Sequence, residues 1–466
     1  MGNSSSWNPV RRFRTRVALG LVLMFGVAVG ASSSWGQSPW RIPLRRNPPA
    51  PRRSPRWNPP PPPRHGPPAR VDPTRALVND GRRIFRYDTF GDEAFWGDAL
   101  RLHEAVSTLS PVAALGLGLK VDVEALPPRL RSRLRYGQVD LGDPAVTLSL
   151  LKLDAVVGVK GFFSPSGREL RSIGIRCALC HSTVDDSLAP GVGRRLDGWA
   201  NRDLNVGAVI AAAPDVSPFA NPLGASQDAV RQVLRSWGPG RFDPYLALDG
   251  KAFRPDGKSG SVLIPPAFGL AKVDLTTATG WGSISYWNSF VAVLEMHAQG
   301  SFADPRINDP ARFPIGAANG FFNVTHSPDL VTPKLPALRA YQHSLSAPRP
   351  PVRSFDMRQA NRGRALFMGK ANCASCHTPS SSFTDANRVL HTPQEIGIDD
   401  FQSERSPTRR YRTTPLRGLW THMDGGFYHD GRFKTLEDVV AHYNGRFSLG
   451  LTDWEAGDLV EYLKSL

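Results

Sequence analysis

Two five-residue stretches decide the fold of this chain: Cys177-Ala178-Leu179-Cys180-His181 and Cys373-Ala374-Ser375-Cys376-His377. Together they contain all four cysteines of the 466 residues. Cys-x-x-Cys-His is the attachment signal of c-type haem, because the two thiols can bond to the two vinyl groups of one porphyrin and the adjacent imidazole can ligate its iron. We therefore expect two covalently bound haem c groups, attached at Cys177, Cys180, Cys373 and Cys376.

Such cysteine pairs also occur in structural zinc sites and in thioredoxin-like redox sites. A structural zinc site requires four clustered ligands, and a thioredoxin-like dithiol does not require a following histidine. Neither alternative predicts a histidine after both cysteine pairs. The sequence therefore predicts His181 and His377 as the proximal iron ligands.

The chain begins with the pattern of a signal peptide. Arg11, Arg12, Arg14 and Arg16 precede an apolar run at residues 17–31, and small or polar residues follow. A run of about fifteen residues is short for a bilayer core of about 30 Å, so an uncleaved anchor is the less favoured alternative. We expect residues 1–37 to be removed, leaving no stable membrane span, and the mature protein to be periplasmic or secreted.

Residues 38–75 are rich in proline and arginine, with an unbroken proline run at 59–63. Such a segment cannot bury apolar surface and is expected to be a disordered, extended linker. Residues 1–75 hold thirteen arginines and the single acid Asp72, so they carry +12 of the net +16 charge. The rest of the chain has only a small basic excess, and we expect no nucleic-acid partner.

The motifs lie 196 residues apart, so each can belong to its own domain. The proline-rich residues 346–354 form the natural boundary. We expect an N-terminal haem domain at 76–350, with inserted loops, and a C-terminal cytochrome c-like haem domain at 351–466. Helical spacing occurs at 355–368, at 436–443 and after Thr452. The expected fold class is mainly α, with two cytochrome c-like domains, long irregular loops and few short strands.

Three blocks of sequence resemble the bacterial dihaem cytochrome c peroxidases and the related dihaem enzyme that matures methylamine dehydrogenase. The first is the order of the two haem motifs, and the second is residues 287–300, WNSFVAVLEMHAQG. The third combines TPLRGL at 414–419, YHDG at 428–431 and TLEDVV at 435–440. The resemblance covers about residues 75–466. It implies that one haem meets the oxidant and the other passes electrons.

The same resemblance implies roles for individual residues. Trp287 matches the tryptophan between the haems, with Trp281 as the alternative relay. His297 replaces the glutamine that peroxidases place above the reactive haem, and no acid occupies the glutamate position near Ile307, although Asp304 and Asp309 are close. Phe302 lies between these positions in sequence. An apolar side chain there suits dioxygen beside a lipophilic substrate better than cleavage of peroxide, which uses a positioned proton shuttle.

This combination resembles the dihaem rubber oxygenases most. The motif spacing, the run RLDGWANRDLN at 195–205 and the arrangement from Trp287 to Phe302 carry that resemblance. The chain is considerably shorter than that branch after the second haem motif. Rubber itself is therefore not the expected substrate.

The sixth iron ligands follow from the same comparison. For the second haem, the resemblance places the ligand at Tyr443, and the neighbouring His442 is the rival, since histidine pairs are typical of electron-transfer haems. Met423 and His429 follow as weaker candidates. The first haem is expected to be open or capped by His297.

We expect an exported dihaem oxidoreductase that activates dioxygen or hydrogen peroxide at the N-terminal haem and uses the C-terminal haem as electron relay. A lipophilic substrate and a small redox protein as electron donor are the expected partners. The alternatives are a dihaem cytochrome c peroxidase and a non-enzymatic electron-transfer cytochrome, which would need strong-field ligands on both irons.

Overall fold

Helices connected by long loops form most of the protein. The computed structural model describes residues 72–385, 389–423 and 425–466. In these ranges the α-helices are α1 (Pro73–Tyr87), α2 (Leu102–Ser107), α3 (Pro111–Gly116), α4 (Pro128–Arg135), α5 (Pro144–Lys152), α6 (Ala178–His181), α7 (Val206–Ala211), α8 (Ser217–Leu223), α9 (Gln227–Ser236), α10 (Leu246–Asp249), α11 (Ile284–Phe290), α12 (Pro314–Ala318), α13 (Leu335–Ser344), α14 (Met357–Met368), α15 (Pro393–Ile396), α16 (Phe401–Glu404), α17 (Leu436–Arg446) and α18 (Asp453–Lys464).

The strands are short and occur in two-stranded pairs. They are β1 (Val121–Asp122), β2 (Val159–Phe163), β3 (Leu170–Ile175), β4 (Ser182–Val184), β5 (Val192–Gly193), β6 (Arg195–Asp197), β7 (Arg241–Phe242), β8 (Val262–Leu263), β9 (Phe302–Ala303), β10 (Asn323–Val324), β11 (Leu390–His391) and β12 (Tyr411–Arg412). The pair β1–β5 is parallel and the other pairs are antiparallel. The expectation of a mainly α fold with few short strands is confirmed.

The helices predicted near the second haem motif are present. The side chain of Thr452 accepts a hydrogen bond from the backbone N–H of Glu455, whose carboxylate accepts one from the backbone of Thr452. This capping box starts α18 at the predicted residue. Thr435 and Asp438 form a second capping box at the start of α17.

The predicted signal peptide, residues 1–37, lies outside the described residues. The predicted linker, residues 38–75, lies there up to residue 71, and its predicted end is too late. Helix α1 begins at Pro73, because the carboxylate of Asp72 accepts a hydrogen bond from the backbone N–H of Thr74 at 2.9 Å. Within the described ranges, no helix combines the length and the apolar character that crossing a bilayer requires.

Two helix pairs meet closely at a glycine. Helix α1 packs on α13, and a Cβ atom added at Gly81 would collide with the carbonyl oxygen of Ala337. Helix α14 packs on α18 in the same way, with Gly363 against the carbonyl oxygen of Asp458. Each pair joins a helix that precedes a haem motif to a helix that lies well after it.

Three large apolar clusters surround the motifs. The first core contains residues between Trp96 and Ile264, the second residues between Ile84 and Tyr341, and the third residues between Phe367 and Leu463. Cys180 packs against the first core, Cys177 against the second and Cys373 against the third. The first and second cores therefore border the first motif, and the third core borders the second motif.

A buried arginine connects the two parts of the chain. The side chain of Arg405 is fully buried, and its Nε donates to Oδ2 of Asp249 at 2.7 Å. Its Nη1 donates to Oδ2 of Asp243 and to the carbonyl oxygen of Gly260, both at 3.1 Å. Because both carboxylates precede the second haem motif and Arg405 follows it, this cluster ties sequence-distant segments together.

Candidate haem sites

The first motif lies between two short sheets. Strand β3 leads into α6, which ends at His181, and β4 follows directly. Nδ1 of His181 lies 3.0 Å from the carbonyl oxygen of Pro265. Burial lowers the pKa of His181 to about 4, so the ring is neutral at pH 7. A neutral imidazole that donates its Nδ1–H to a carbonyl keeps Nε2 free for a metal, which is the usual arrangement of ligating histidines.

The second motif repeats this arrangement. Nδ1 of His377 lies 2.8 Å from the carbonyl oxygen of Phe383, and burial lowers the pKa of His377. Cys373 begins a single 3₁₀ turn, and helix α14 ends a few residues before it. Both motif histidines therefore have the orientation and the protonation state that an iron ligand needs.

All four cysteines are free thiols. Burial raises the pKa of Cys177 and of Cys180 to about 12, and that of Cys373 to about 11. A hydrogen bond with His391 lowers the pKa of Cys376. Among the residues that the structure describes, no three histidine, cysteine or acidic side chains are close enough to hold a metal ion. Each pair of thiols is thus available for bonds to an external group.

A buried guanidinium near the second motif suits a haem carboxylate. Nε of Arg412 donates to the carbonyl oxygen of Thr277 at 2.5 Å, and its buried Nη1 has no hydrogen-bond partner. Burial lowers the pKa of Arg412 to about 10. Arg412 also lines a cavity of about 100 Å³ together with Thr384 and Thr413. Because a buried cation needs a counter-charge, the residues present fit a porphyrin propionate at this point.

The two candidate sixth ligands, Tyr443 and His442, lie on α17 and have different surroundings. Nε2 of His442 lies 2.8 Å from the carbonyl oxygen of Ile396, so this nitrogen already has a hydrogen-bond partner. Burial raises the pKa of Tyr443, and the nearby thiols of Cys376 and Cys373 raise it further. Tyr443 thus lies near the attachment cysteines.

Of the weaker ligand candidates, Met423 is 62% exposed. His429 is enclosed: its ring stacks on Tyr411 at 5.0 Å, and its buried Nε2 has no hydrogen-bond partner. Burial lowers the pKa of His429 to about 4. A neutral, enclosed imidazole with a free nitrogen can donate to or accept from a polar group of a cofactor.

Trp287 lies in the second core. Its ring is 4.9 Å from Phe290 and 5.6 Å from Trp281, measured between centroids, and its buried Nε1 has no hydrogen-bond partner. Nε1 of Trp281, in contrast, donates to Oδ2 of Asp304 at 3.0 Å. Because Cys177 packs against the same core, Trp287 shares its surroundings with a haem attachment residue.

His297 and Phe302 have their ring contacts in different clusters. His297 stacks on Phe95 with centroids 3.6 Å apart, and burial lowers its pKa to about 4. Phe302 is 4% exposed and packs edge-on against Phe290 and Tyr286, at 5.4 and 5.6 Å. Both side chains are therefore enclosed by aromatic rings.

Comparison with known proteins finds relatives over parts of the chain. No family model matches the chain. The chain is 27% identical over 293 residues to the methylamine utilization protein MauG of Methylorubrum extorquens, a match that covers 53% of this chain and 80% of that protein. It is 27% identical over 152 residues to the cytochrome-c peroxidase IdrP1 of Denitromonas iodatirespirans, covering 23% of this chain and 40% of that protein. These relatives support a likeness to the dihaem cytochrome c peroxidase superfamily.

A solved structure of a variant of the diheme peroxidase BthA from Burkholderia thailandensis is also similar, with 19% identity and a TM-score of 0.27. That match covers 63% of this chain and 81% of BthA. At a coarse level, the relatives named MauG and cytochrome-c peroxidase support a haem-dependent oxidoreductase.

The acids closest to the expected peroxidase glutamate position have other contacts in this protein. Asp304 accepts hydrogen bonds from Trp281, from Tyr286 and from Arg306. The carboxylate of Asp309 accepts from the backbone N–H groups of Ala311 and Arg312. Both carboxylates therefore accept hydrogen bonds from groups of the protein itself.

Sequence reasoning missed two buried groups of the candidate sites. Arg412 lies two residues before the TPLRGL block, and nothing in its neighbourhood marks it as buried. Burial lowers the pKa of His422 to about 3, and the charge of Arg202 adds to the shift. Both are ordinary surface residue types by composition, and only the long-range packing encloses them.

Proposed function

We propose that the protein is an exported dihaem c-type cytochrome oxidoreductase. The N-terminal haem, bonded to Cys177 and Cys180, would activate dioxygen or peroxide, and the C-terminal haem, bonded to Cys373 and Cys376, would relay electrons. The observation that carries this proposal is the orientation of His181 and His377, each neutral and each held through Nδ1. Both imidazoles are neutral, are hydrogen-bonded through Nδ1 and follow two free thiols. This supports two covalent haem c groups with His181 and His377 as proximal ligands.

The haems would supply one-electron chemistry and a binding position for an oxidant. The protein would supply the iron ligands, a counter-charge for a propionate and a relay residue. His181 and His377 would hold the iron, and their hydrogen bonds to carbonyl oxygens would strengthen them as donors. Arg412 would balance a propionate charge. Trp287, enclosed in the core that Cys177 borders, is the proposed relay between the haems.

The surroundings of Phe302 support an apolar distal side, because its ring packs edge-on against Phe290 and Tyr286 in the second core. His297 has its ring contacts in a different cluster, where it stacks on Phe95, and it is neutral and adds no charge there. An apolar wall favours a lipophilic substrate over a charged one. This supports the oxygenase form of the proposal.

A second candidate is a dihaem cytochrome c peroxidase. The name of IdrP1 favours it, and peroxide is then the oxidant. The third candidate, an electron-transfer cytochrome without catalytic activity, requires both irons to be six-coordinate.

We propose an N-terminal haem domain at 76–350 and a C-terminal cytochrome c-like domain at 351–466. The composition of the three cores supports this division, because the first and second cores use residues before 346 and the third uses residues after 365. The proposed location is the periplasm or the exterior, with a small redox protein as electron donor.

Absorption spectra with carbon monoxide and peroxide test the proposal. We expect one of the two reduced haems to bind carbon monoxide, because one iron is open, and the oxidised protein to contain one high-spin haem. Dioxygen uptake without added peroxide supports the oxygenase form, whereas rapid turnover of peroxide with small reductants supports the peroxidase. Two low-spin haems that bind neither ligand would establish the electron-transfer alternative instead.

The sixth ligand of the C-terminal haem can be assigned with two variants. Tyr443→Phe is expected to change the spin state of one haem, because the phenol oxygen is removed while the ring is kept. His442→Ala should leave that spectrum unchanged, since Nε2 of His442 is bonded to the carbonyl oxygen of Ile396. Electron paramagnetic resonance (EPR) spectra of the oxidised variants are the measurement. The reverse result would make His442 the ligand.

A further inference from the structure

The carboxylate of Asp304, beside the second core, accepts hydrogen bonds from three residues. Oδ2 of Asp304 accepts hydrogen bonds from the Tyr286 hydroxyl at 2.6 Å, from Nε1 of Trp281 at 3.0 Å and from Nη2 of Arg306 at 2.8 Å. The Asp304 side chain is only 3% exposed. Two oxidisable rings therefore share one buried proton acceptor.

These rings are in contact with Trp287. Centroid distances are 5.9 Å between Tyr286 and Trp287, 6.1 Å between Tyr286 and Trp281, and 5.6 Å between Trp281 and Trp287. Such spacings are those of packed aromatic pairs. The three rings therefore form one array in the core against which Cys177 also packs.

The hydroxyl of Tyr286 keeps its proton in the resting protein. Burial and the hydrogen bond to Asp304 hold the pKa of Tyr286 well above its usual value. Burial also raises the pKa of Asp304, but hydrogen bonds from Arg306 and Tyr286 outweigh it and leave that pKa below its usual value. The carboxylate is therefore charged. A phenol that loses an electron becomes a strong acid, and here a charged acceptor already lies at hydrogen-bond distance.

The array ends close to solvent. Tyr286 is half-buried, and the guanidinium of Arg306, whose side chain is 45% exposed, lies over the rings of Tyr286 and Trp281 at 5.6 and 5.8 Å. An electron donor in solution can thus approach the Tyr286 end without entering the core.

We propose that Tyr286 is a redox-active tyrosine at which external phenols are oxidised, one electron at a time, with Asp304 as its proton acceptor. This inference rests on the proposed function, since the oxidising equivalents come from the haem centre after its reaction with peroxide. It adds a second place of substrate oxidation, at the protein surface.

The electrons and protons balance as follows. Trp287 gives one electron to the peroxide-oxidised haem centre, and Tyr286 returns one electron to Trp287 while its phenolic proton moves to Oδ2 of Asp304. An external phenol then gives one electron to Tyr286, releases its own proton to solvent, and the proton on Asp304 returns to Tyr286. Reduction of one hydrogen peroxide to two waters consumes two electrons and two protons. Two cycles supply the two electrons, and the two phenols release two protons.

The holoprotein grown with ring-deuterated tyrosine is the material for the test. It is mixed with hydrogen peroxide, the haem absorption is followed, and the radical is trapped by freezing for EPR spectroscopy. We expect a tyrosyl signal that narrows with the deuterated ring and is lost in Tyr286→Phe, a variant that keeps the packing of the ring. In Asp304→Asn the signal per reacted haem should fall, because the proton acceptor is gone. Oxidation of 4-methylphenol should slow in both variants.

Tyr136→Phe is the control, because Tyr136 is 70% exposed and lies outside the array. Its radical signal should equal that of the parent protein. If the haem absorption changes but Tyr286→Phe keeps the full signal, the inference is wrong and the proposed function stands. If peroxide leaves the haem absorption unchanged, the peroxide-dependent form of the proposed function is wrong and the inference falls with it.

Discussion

Replacing Cys177 and Cys180 together by alanine is expected to remove one of the two covalent haems and to leave the other attached. A thioether bond cannot form without a thiol, and the second motif has its own turn, its own histidine and its own core, so it should be matured independently. Intact mass and haem-stained denaturing gels measure the result. In the parent protein the mass should exceed that of the chain by two haems, and in the variant by one.

The matched control is the pair of substitutions Cys373→Ala and Cys376→Ala in the other motif. It should also lose one haem, and the absorption spectra of the two variants should add up to that of the parent. Two haems in either double variant, or zinc in place of porphyrin in the parent, would contradict the assignment of the motifs.

The second large effect concerns stability. Arg405→Met should lower the free energy of unfolding by about 3–5 kcal/mol, because it leaves Asp243 and Asp249 as uncompensated charges in the interior. Denaturant unfolding of the holoprotein, followed by fluorescence and haem absorption, gives the value. Adding Asp243→Asn and Asp249→Asn should recover part of the loss, since the buried charges are then removed.

Arg409→Met provides the comparison on the same segment. The Arg409 side chain is 59% exposed and pairs with Glu404 at 3.3 Å. Exposed pairs of this kind contribute about 0–1 kcal/mol, so this variant should unfold almost like the parent. If Arg405→Met lowered the free energy of unfolding by as little as Arg409→Met, the buried cluster would not be what joins the two segments.

The parts of the fold that the sequence predicted well depend on neighbouring residues. Helix α18 follows from Thr452 and Glu455, three residues apart, and α17 from apolar residues at helical spacing. The expected position of each ligand histidine likewise depends only on a five-residue motif, and it stays a prediction. Local signals of this kind need no knowledge of the rest of the chain.

The remaining features depend on partners far away in sequence. No pattern near His181 indicates that the carbonyl oxygen of Pro265 would orient it. Arg405 meets Asp243 across 162 residues, and only the packed core distinguishes this arginine from its exposed neighbours. The same limit applies to the sixth ligand: sequence could name Tyr443 and His442, but their different surroundings come from Ile396 and from the second motif's cysteines.

The glycine contacts at the two helix crossings bear on how this chain is organised. The part before residue 346 has α1 near its beginning and α13 at its end, and these two helices touch at Gly81. The part after residue 354 begins with α14 and ends with α18, which touch at Gly363. In each part the first and last helices are neighbours, so each loop of polypeptide closes on itself, as autonomous modules with adjacent termini do. Because Arg405 of the second part is buried against Asp243 and Asp249 of the first, the two parts are nevertheless joined, and either part alone would keep half of a buried ion cluster without its partner.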